Sequence, residues 1–403
     1  MQLDDIPEGV VHFCQDSRLA QPGSLFFALK GGRVDGHSYL QEVANRGAIG
    51  AVVESFYQGP DYGLHLIRVD DVLGALQQLA RQKCNREGYK IVGVTGSVGK
   101  TTTKEFIVTL LEEKYRVGKS AGNANSQVGL PLTLLNAKGN EEIFVLEMGM
   151  SEAGQIKKLV SIAPPDIAVV TKIAPCHALF FKDGLEGIAR AKAEILTCAQ
   201  VAILNDQVLQ FKAFQHLGCR LVSYGKHIFH EVSAIPRHLM ENVEGAVAVA
   251  LECGMTEQEI AVRLPLLKGC SKRFEKIEKR GVVWINDAYN ANPISMKGAL
   301  SSLPKDLGRK IAVFGSMKEL GAYEESGHRE VGEEARATVD LLFCLGQECG
   351  PMVEAFAEGG KPVEHFLEFE ALQKRLFEMV RKGDVVLLKG ANSHQLWRLC
   401  EAF

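Results

Sequence analysis

Apolar positions along the chain switch repeatedly between two periods, and the switch is sharpest between Tyr89 and Glu113. Ile91, Val92 and Val94 predict a strand, and Phe106, Ile107, Leu110 and Leu111 predict a helix. Between them lies a glycine turn, Gly96-Ser97-Val98-Gly99, followed by Lys100, Thr101, Thr102 and Thr103. A strand, a glycine loop and a helix N-terminus bearing Lys-Thr form a cradle for nucleotide phosphates. Backbone N–H groups line such a loop, the lysine adds charge, and the Thr101 hydroxyl can ligate Mg2+. A strict G-x-x-x-x-G-K-[ST] pattern needs glycine at position 94, which is Val94, so this loop is a variant. The expected ligand is ATP or a relative.

The same alternation organises the rest. Residues 1–83 predict a small α/β module: a turn at Gln21-Pro22-Gly23, a strand over 25–29, a helical stripe from Tyr39 to Ala44, and a strand over 48–53. Its loops expose Ser17, Arg18, Lys30, Arg33, Asp35 and His37, a set suited to a phosphate-bearing ligand or simply to solvent. Residues 84–270 alternate strand and helix, which predicts a mostly parallel sheet with helices on both faces. Predicted strands there run into Glu147, into Thr171 and a loop carrying His177, and into Asn205-Asp206. Ligands of open α/β sheets bind at the carboxyl ends of strands. Glu147 and His177 are therefore candidate Mg2+ ligands; taken singly, each could be a structural hydrogen bonder. Pattern is poor over 206–245, and a helix begins near Glu241. Residues 271–403 predict a second open α/β unit, with strands over 282–285, 311–314, 341–345 and 385–388 and no phosphate loop.

One helical stripe contains an anomaly. Leu185, Ile188, Ala189, Ile195 and Leu196 share a face over 185–198, and Lys192 lies on it. A lysine there must snorkel, find a carboxylate, or lose its charge. A neutral amine could also take up CO2 as a carbamate, which is anionic and can ligate a metal.

Composition narrows the function classes. A chain of 403 residues is too long for one ordinary core, so two or three domains are expected. A net charge of −3 gives no electrostatic reason to expect nucleic acid or membrane partners. No apolar run approaches the roughly 20 residues of a membrane span, and MQLDDIPEGV lacks the pattern of a signal peptide. The ten cysteines include no C-x-x-C pair, which fits reduced thiols and a cytoplasmic location.

Several separated stretches together are similar to the Mur ligases, the ATP-dependent amide-forming enzymes of peptidoglycan precursor synthesis. They are DSR…PGSLFFALKG…DGH (16–37), TGSVGKTTTKE (95–105), GNANSQVGLPLTLL (122–135), LEMGM (146–150), GLEGIARAKAEI (184–195), NDAYNANPISMKGAL (286–300) and GSMKELG (315–321). The resemblance implies three domains. These are a UDP-binding module (1–83), a central P-loop ATPase domain (84–270) and a Rossmann-like domain (271–403) that closes on ATP and the incoming amine. EMGM and DAYNANP resemble the branch that joins D-alanyl-D-alanine to UDP-MurNAc-tripeptide; other amide ligases of the superfamily, or a non-catalytic nucleotide binder, are the alternatives. Carried over by motif, Gly96, Ser97, Val98, Gly99, Lys100, Thr101 and Thr102 would wrap the phosphates. Thr101, Glu147, His177 and a carbamylated Lys192 would hold Mg2+, with two ions expected. Asn242, Arg273 and Asp287 would lie near adenine and ribose, and Tyr289, Asn290 and Asn292 would face ATP and the dipeptide. Ser17, Arg18, Lys30, Asp35, Gly36 and His37 would hold the UDP end. Catalysis would rest on Lys100, Lys192, His177 and Glu147, in a monomer.

The chain departs from the family at four places. Lys172 replaces an asparagine, and the segment 206–240 is short. Pro236-Arg237-His238-Leu239 stands for Gly-x-His-Asn, and Asn392 stands where the family often has arginine.

Overall fold

The computed structural model describes residues 1–32, 34–226, 232 and 235–403, so Arg33 lies outside the described residues. The chain builds three sheets in succession. The first joins β1 (His12–Cys14), β2 (Ser24–Phe27), β3 (Gly50–Glu54) and β4 (His65–Val69) in that order, all parallel. The second contains β5 (Lys90–Thr95), β6 (Val117–Lys119), β7 (Ile143–Glu147), β8 (Ile167–Val170), β9 (Val201–Asn205) and β10 (Arg220–Tyr224). Its order is β10-β9-β8-β5-β7-β6, again parallel throughout. The third contains β11 (Glu275–Lys279), β12 (Val282–Asn286), β13 (Lys310–Gly315), β14 (Leu341–Leu345), β15 (Val363–Phe366) and β16 (Val385–Lys389). Its order is β11-β12-β16-β13-β14-β15, with only β11 antiparallel.

The central sheet is covered on both faces, which is why β7 and β8 are buried at every position and read as unbroken apolar runs. Helices Lys100–Leu111 and Met240–Glu252 pack together on one face through Phe106, Ile107, Val243 and Val247. Helix Val72–Glu87 carries the chain from the first sheet into the second. It packs on the other face, in a core shared with Leu130, Leu134, Ile156 and Leu159.

From β5 the chain runs to β6 and β7 on one side and only later to β8 on the other, so the carboxyl end of β5 is the topological switch point of the sheet. The phosphate loop lies there. Two differences from the sequence pattern have physical causes. β10 falls in the poorly patterned segment because it is an edge strand on which only Tyr224 is buried. The helix expected over 185–198 ends at Ala193 and tightens into a 3-10 turn, Glu194–Thr197. Glu194 turns there to accept the N–H groups of Gly154 and Lys157, both at 2.9 Å, at the start of helix Gln155–Ile162. Among the described residues, no helix is long and apolar enough to cross a membrane.

Candidate active site

The phosphate loop is held by contacts that only glycine allows. Gly96 and Gly99 have φ of +147° and +90°. A Cβ on Gly96 would lie 1.8 Å from Thr171 Oγ1, and one on Gly99 would lie 2.2 Å from Asn242 Nδ2. Ser97 N donates to Lys172 O at 2.7 Å, and Thr171 Oγ1 donates to Val98 O at 2.5 Å, so the end of β8 braces the loop. Thr103 N donates to Gly99 O, and the N–H groups of Lys100, Thr101 and Thr102 precede that first helical bond. Lys100 Nζ folds back onto Gly96 O at 2.8 Å. Val94, the residue that breaks the strict motif, is a buried position of β5.

Glu147, at the end of β7, is buried and fully engaged. Its Oε2 accepts from Thr101 Oγ1 and its Oε1 from Asn125 Nδ2, each at 2.7 Å. Arg273 Nη2 donates to the same Thr101 hydroxyl at 3.1 Å and stacks on Tyr289, with Cζ 4.1 Å from the ring centre. Glu147, Lys100, Thr101, His177, Tyr289 and Asn290 share the wall of a cavity of about 470 Å³. His177 has φ +59°, and its Nδ1 pairs with Glu319 from the GSMKELG stretch. Hydrogen bonding with Cys176 raises the His177 pKa more than burial lowers it, and Glu319 adds to the rise.

Lys192 is 2% exposed. Burial, and then the nearby charge of Lys100, lower its pKa to about 7, with Cys176 and Glu147 acting in the opposite sense. It belongs to no ion pair among the described residues. The sequence anomaly is thus a buried amine that can be neutral near neutral pH.

A narrower cavity of about 120 Å³ extends from Gly99 and Thr102 past Asn242, Lys172 and His238 to Asp287. Asn242 Nδ2 is tied to Gly99 O at 3.1 Å and Thr103 Oγ1 at 2.9 Å. Lys172, whose charge had no evident partner in the sequence, pairs with Glu241 at 2.9 Å. Asp287 accepts from Lys389 Nζ at 2.7 Å and from Phe274 N at 3.2 Å. Asn290 and Asn292 line the same cavity, although the Asn292 side chain also caps helix Pro293–Ser301 by accepting from Ser295 N at 2.9 Å.

The N-terminal residues divide. Ser17, Arg18, Lys30 and Gly36 line a cavity of about 790 Å³. Asp35 and His37 do not line it: His37 Nδ1 lies 2.6 Å from Asp35 Oδ1, and His37 Nε2 accepts from Glu54 N at 3.1 Å. They brace the loop that carries Lys30 and Gly36. Val128 lines both this cavity and the one at the phosphate loop.

Sequence reading missed the residues that fix Glu147 from behind. Asn125 holds its carboxylate, and Ser120 Oγ accepts its backbone N–H at 2.9 Å. It also missed Lys104, which is buried on the apolar stripe of the phosphate-loop helix, three residues before Ile107 and seven before Leu111. That spacing is the same signal that exposed Lys192.

The chain is similar to known proteins over nearly its whole length. The family model described as the Mur ligase middle domain matches residues 94–267. The one described as the Mur ligase glutamate ligase domain matches residues 272–392. The UDP-N-acetylmuramoyl-tripeptide–D-alanyl-D-alanine ligase of Bacillus subtilis is 34% identical, over 96% of this chain and 92% of its own. The crystal structure of MurF ligase from Thermotoga maritima in complex with ADP has a TM-score of 0.84 at 30% identity, covering 99% of this chain and 98% of that one. A crystal structure of MurF from Acinetobacter baumannii reaches 0.87 at 28% identity, covering 99% and 94%. Matched in both its middle and C-terminal regions and alike over nearly its whole length to these ligases, the chain belongs to the Mur ligase family.

Proposed function

We propose that the chain is an ATP-dependent amide ligase that joins D-alanyl-D-alanine to UDP-MurNAc-tripeptide, acting as a cytoplasmic monomer. The observation that carries this reading is that Val128 lines both the N-terminal cavity and the phosphate-loop cavity. A ligand anchored by its UDP end among Ser17, Arg18, Lys30 and Gly36 could extend its peptide past Val128 towards Glu147 and Lys100. We assign residues 1–83 to the UDP end, 84–270 to ATP and 271–403 to closure over ATP and the dipeptide.

In the first step the terminal carboxylate of the tripeptide attacks the γ-phosphorus. The bond to the β–γ bridging oxygen breaks, giving an acyl phosphate and ADP. Two anions approach each other, so positive charge and fixed donors dominate the barrier. Lys100, released from Gly96 O, and the N–H groups at the helix N-terminus meet the phosphates. The dipeptide amine then attacks the acyl carbonyl, and the tetrahedral intermediate expels inorganic phosphate as the amine loses its proton. Asn242, Arg273 and Asp287 line the nucleotide side, and Tyr289, Asn290 and Asn292 the side open to the dipeptide.

The donor set suits Mg2+. Thr101 Oγ1 and Glu147 Oε2 are adjacent hard oxygens, and His177 shares their cavity. Among the described residues, no cluster of three His, Cys, Asp or Glu side chains could hold an ion alone. Bound there, Mg2+ would offset charge between carboxylate and phosphate. Lys192, buried and depressed to about 7, fits a carbamate, whose negative charge would offset that of Lys100.

Hydroxylamine trapping tests the reading. An acyl hydroxamate should form only with both ATP and UDP-MurNAc-tripeptide present; folded, ATP-binding protein that yields none would overturn it.

A further inference from the structure

Lys104 follows Lys100 by one helical turn and is 0% exposed. Its ammonium does not reach solvent. Nζ donates to Ser120 O at 2.6 Å and to Gly122 O at 3.3 Å, and lies 3.0 Å from Glu105 Oε1. Glu105 is shared with Lys119 at 2.7 Å, so the two backbone carbonyls are the contacts specific to Lys104. A buried ammonium is costly and persists only with such bonds made. An apolar residue would satisfy the packing of this helix; it would leave the carbonyls without their donor.

Those carbonyls belong to the loop that holds Glu147. Ser120, also 0% exposed, accepts the Glu147 N–H through Oγ at 2.9 Å. Asn125, farther along the loop, donates through Nδ2 to Glu147 Oε1 at 2.7 Å, and its backbone carbonyl accepts from Gly149 N at 2.9 Å. Glu147 Oε2 accepts from Thr101, which lies three residues before Lys104 on the same helix. Lys104, Ser120, Glu147 and Thr101 therefore close a ring that begins and ends on the phosphate-loop helix.

We propose that Lys104 is a positioning residue: it fixes the 120–125 loop and, through Ser120 and Asn125, sets the Glu147 carboxylate against Thr101. The inference rests on the proposed role of Glu147 at the metal side of the nucleotide. Lys104 touches no reacting atom. Its effect is to keep two oxygens in register before metal and nucleotide arrive.

The test uses Mn2+ as the probe and calorimetry of ADP binding with and without it. In Lys104→Met, the Mn2+-dependent gain in ADP affinity should fall about 10- to 100-fold, while metal-free ADP binding changes by less than about twofold. Ser120→Ala should move the same quantity in the same direction, and Lys104→Arg should recover part of it. In steady-state assays kcat should fall while KM for UDP-MurNAc-tripeptide holds. An unchanged Mn2+ gain in Lys104→Met would overturn the proposal. Should that variant not fold, Lys104→Gln decides on the same quantity, because its amide can keep a donor near the Ser120 carbonyl while the ammonium is lost: a wild-type Mn2+ gain in it would overturn the proposal. Failure of the wild-type protein to use D-alanyl-D-alanine would instead sink the ligase reading and leave the Mn2+ comparison intact.

Discussion

Two helices of the central sheet each bury a lysine, and they do so in opposite ways. In Lys100–Leu111, Lys104 has carbonyls at 2.6 and 3.3 Å and a carboxylate at 3.0 Å. In Gly184–Ala193, Lys192 is also buried, has no ion-pair partner among the described residues, and faces the charge of Lys100. Both break an apolar stripe, so periodicity cannot separate them. Their partners can: a buried charge that is paired holds structure together, and a buried amine left without an ion partner near phosphate-binding groups is available for chemistry.

The comparison can be broken most forcefully at a third buried lysine. Lys389 pairs with buried Asp287 at 2.7 Å. Lys389→Met strands that carboxylate and should cost about 3–5 kcal/mol in chemical denaturation; a loss below about 1 kcal/mol would mean that satisfied charges here are not structural. Next is Lys192→Ala, which should lower phosphate release roughly 100- to 1,000-fold, with added bicarbonate failing to restore it. Near-wild-type turnover would make Lys192 a packing residue.

A subtler effect concerns pH. Lys192 has a folded pKa of about 7 against an ordinary 10.5, so between these values the unfolded chain holds a proton that the folded one has released. Stability from this group therefore rises with pH across that window and is flat below it. In buffers freed of CO2, where Lys192 is the amine, Lys192→Met should remove that rise, read as the difference in denaturation midpoint between pH 7 and pH 9; an identical difference in both proteins would contradict the depressed pKa. The smallest effect is expected at Lys172, whose pair with Glu241 is partly exposed. Lys172→Met should change stability by only about 0.2–1 kcal/mol, and a larger loss would show that this pair belongs with the buried ones.

What the sequence revealed, and what it hid, follows the same division. The β5–loop–helix unit was legible because the period changes from strand to helix across Gly96 and Gly99, where the backbone needs positive φ. Lys192 was legible as a charge on an apolar face, whereas Lys104 carries the same signal and was masked by the Lys-Thr motif beside it. β10 and the charged strand β11 lie at sheet edges, where exposed residues erase the apolar rhythm. Asp35 and His37 have the polarity of ligand groups and also bond each other, a contact that residue type alone does not show. Glu319 reaches His177 from a distant part of the chain, a contact that no local pattern encodes.

The central claim is that the two cavities lined in common by Val128 serve one ligation. ATP-dependent phosphate release with UDP-MurNAc-tripeptide tests it most directly, comparing D-alanyl-D-alanine with diaminopimelate, lysine and glutamate as the amine. The account predicts release that needs the UDP-peptide and is stimulated by D-alanyl-D-alanine far above the single amino acids. Release that ignores the UDP-peptide, or that answers equally to a single amino acid, would contradict it.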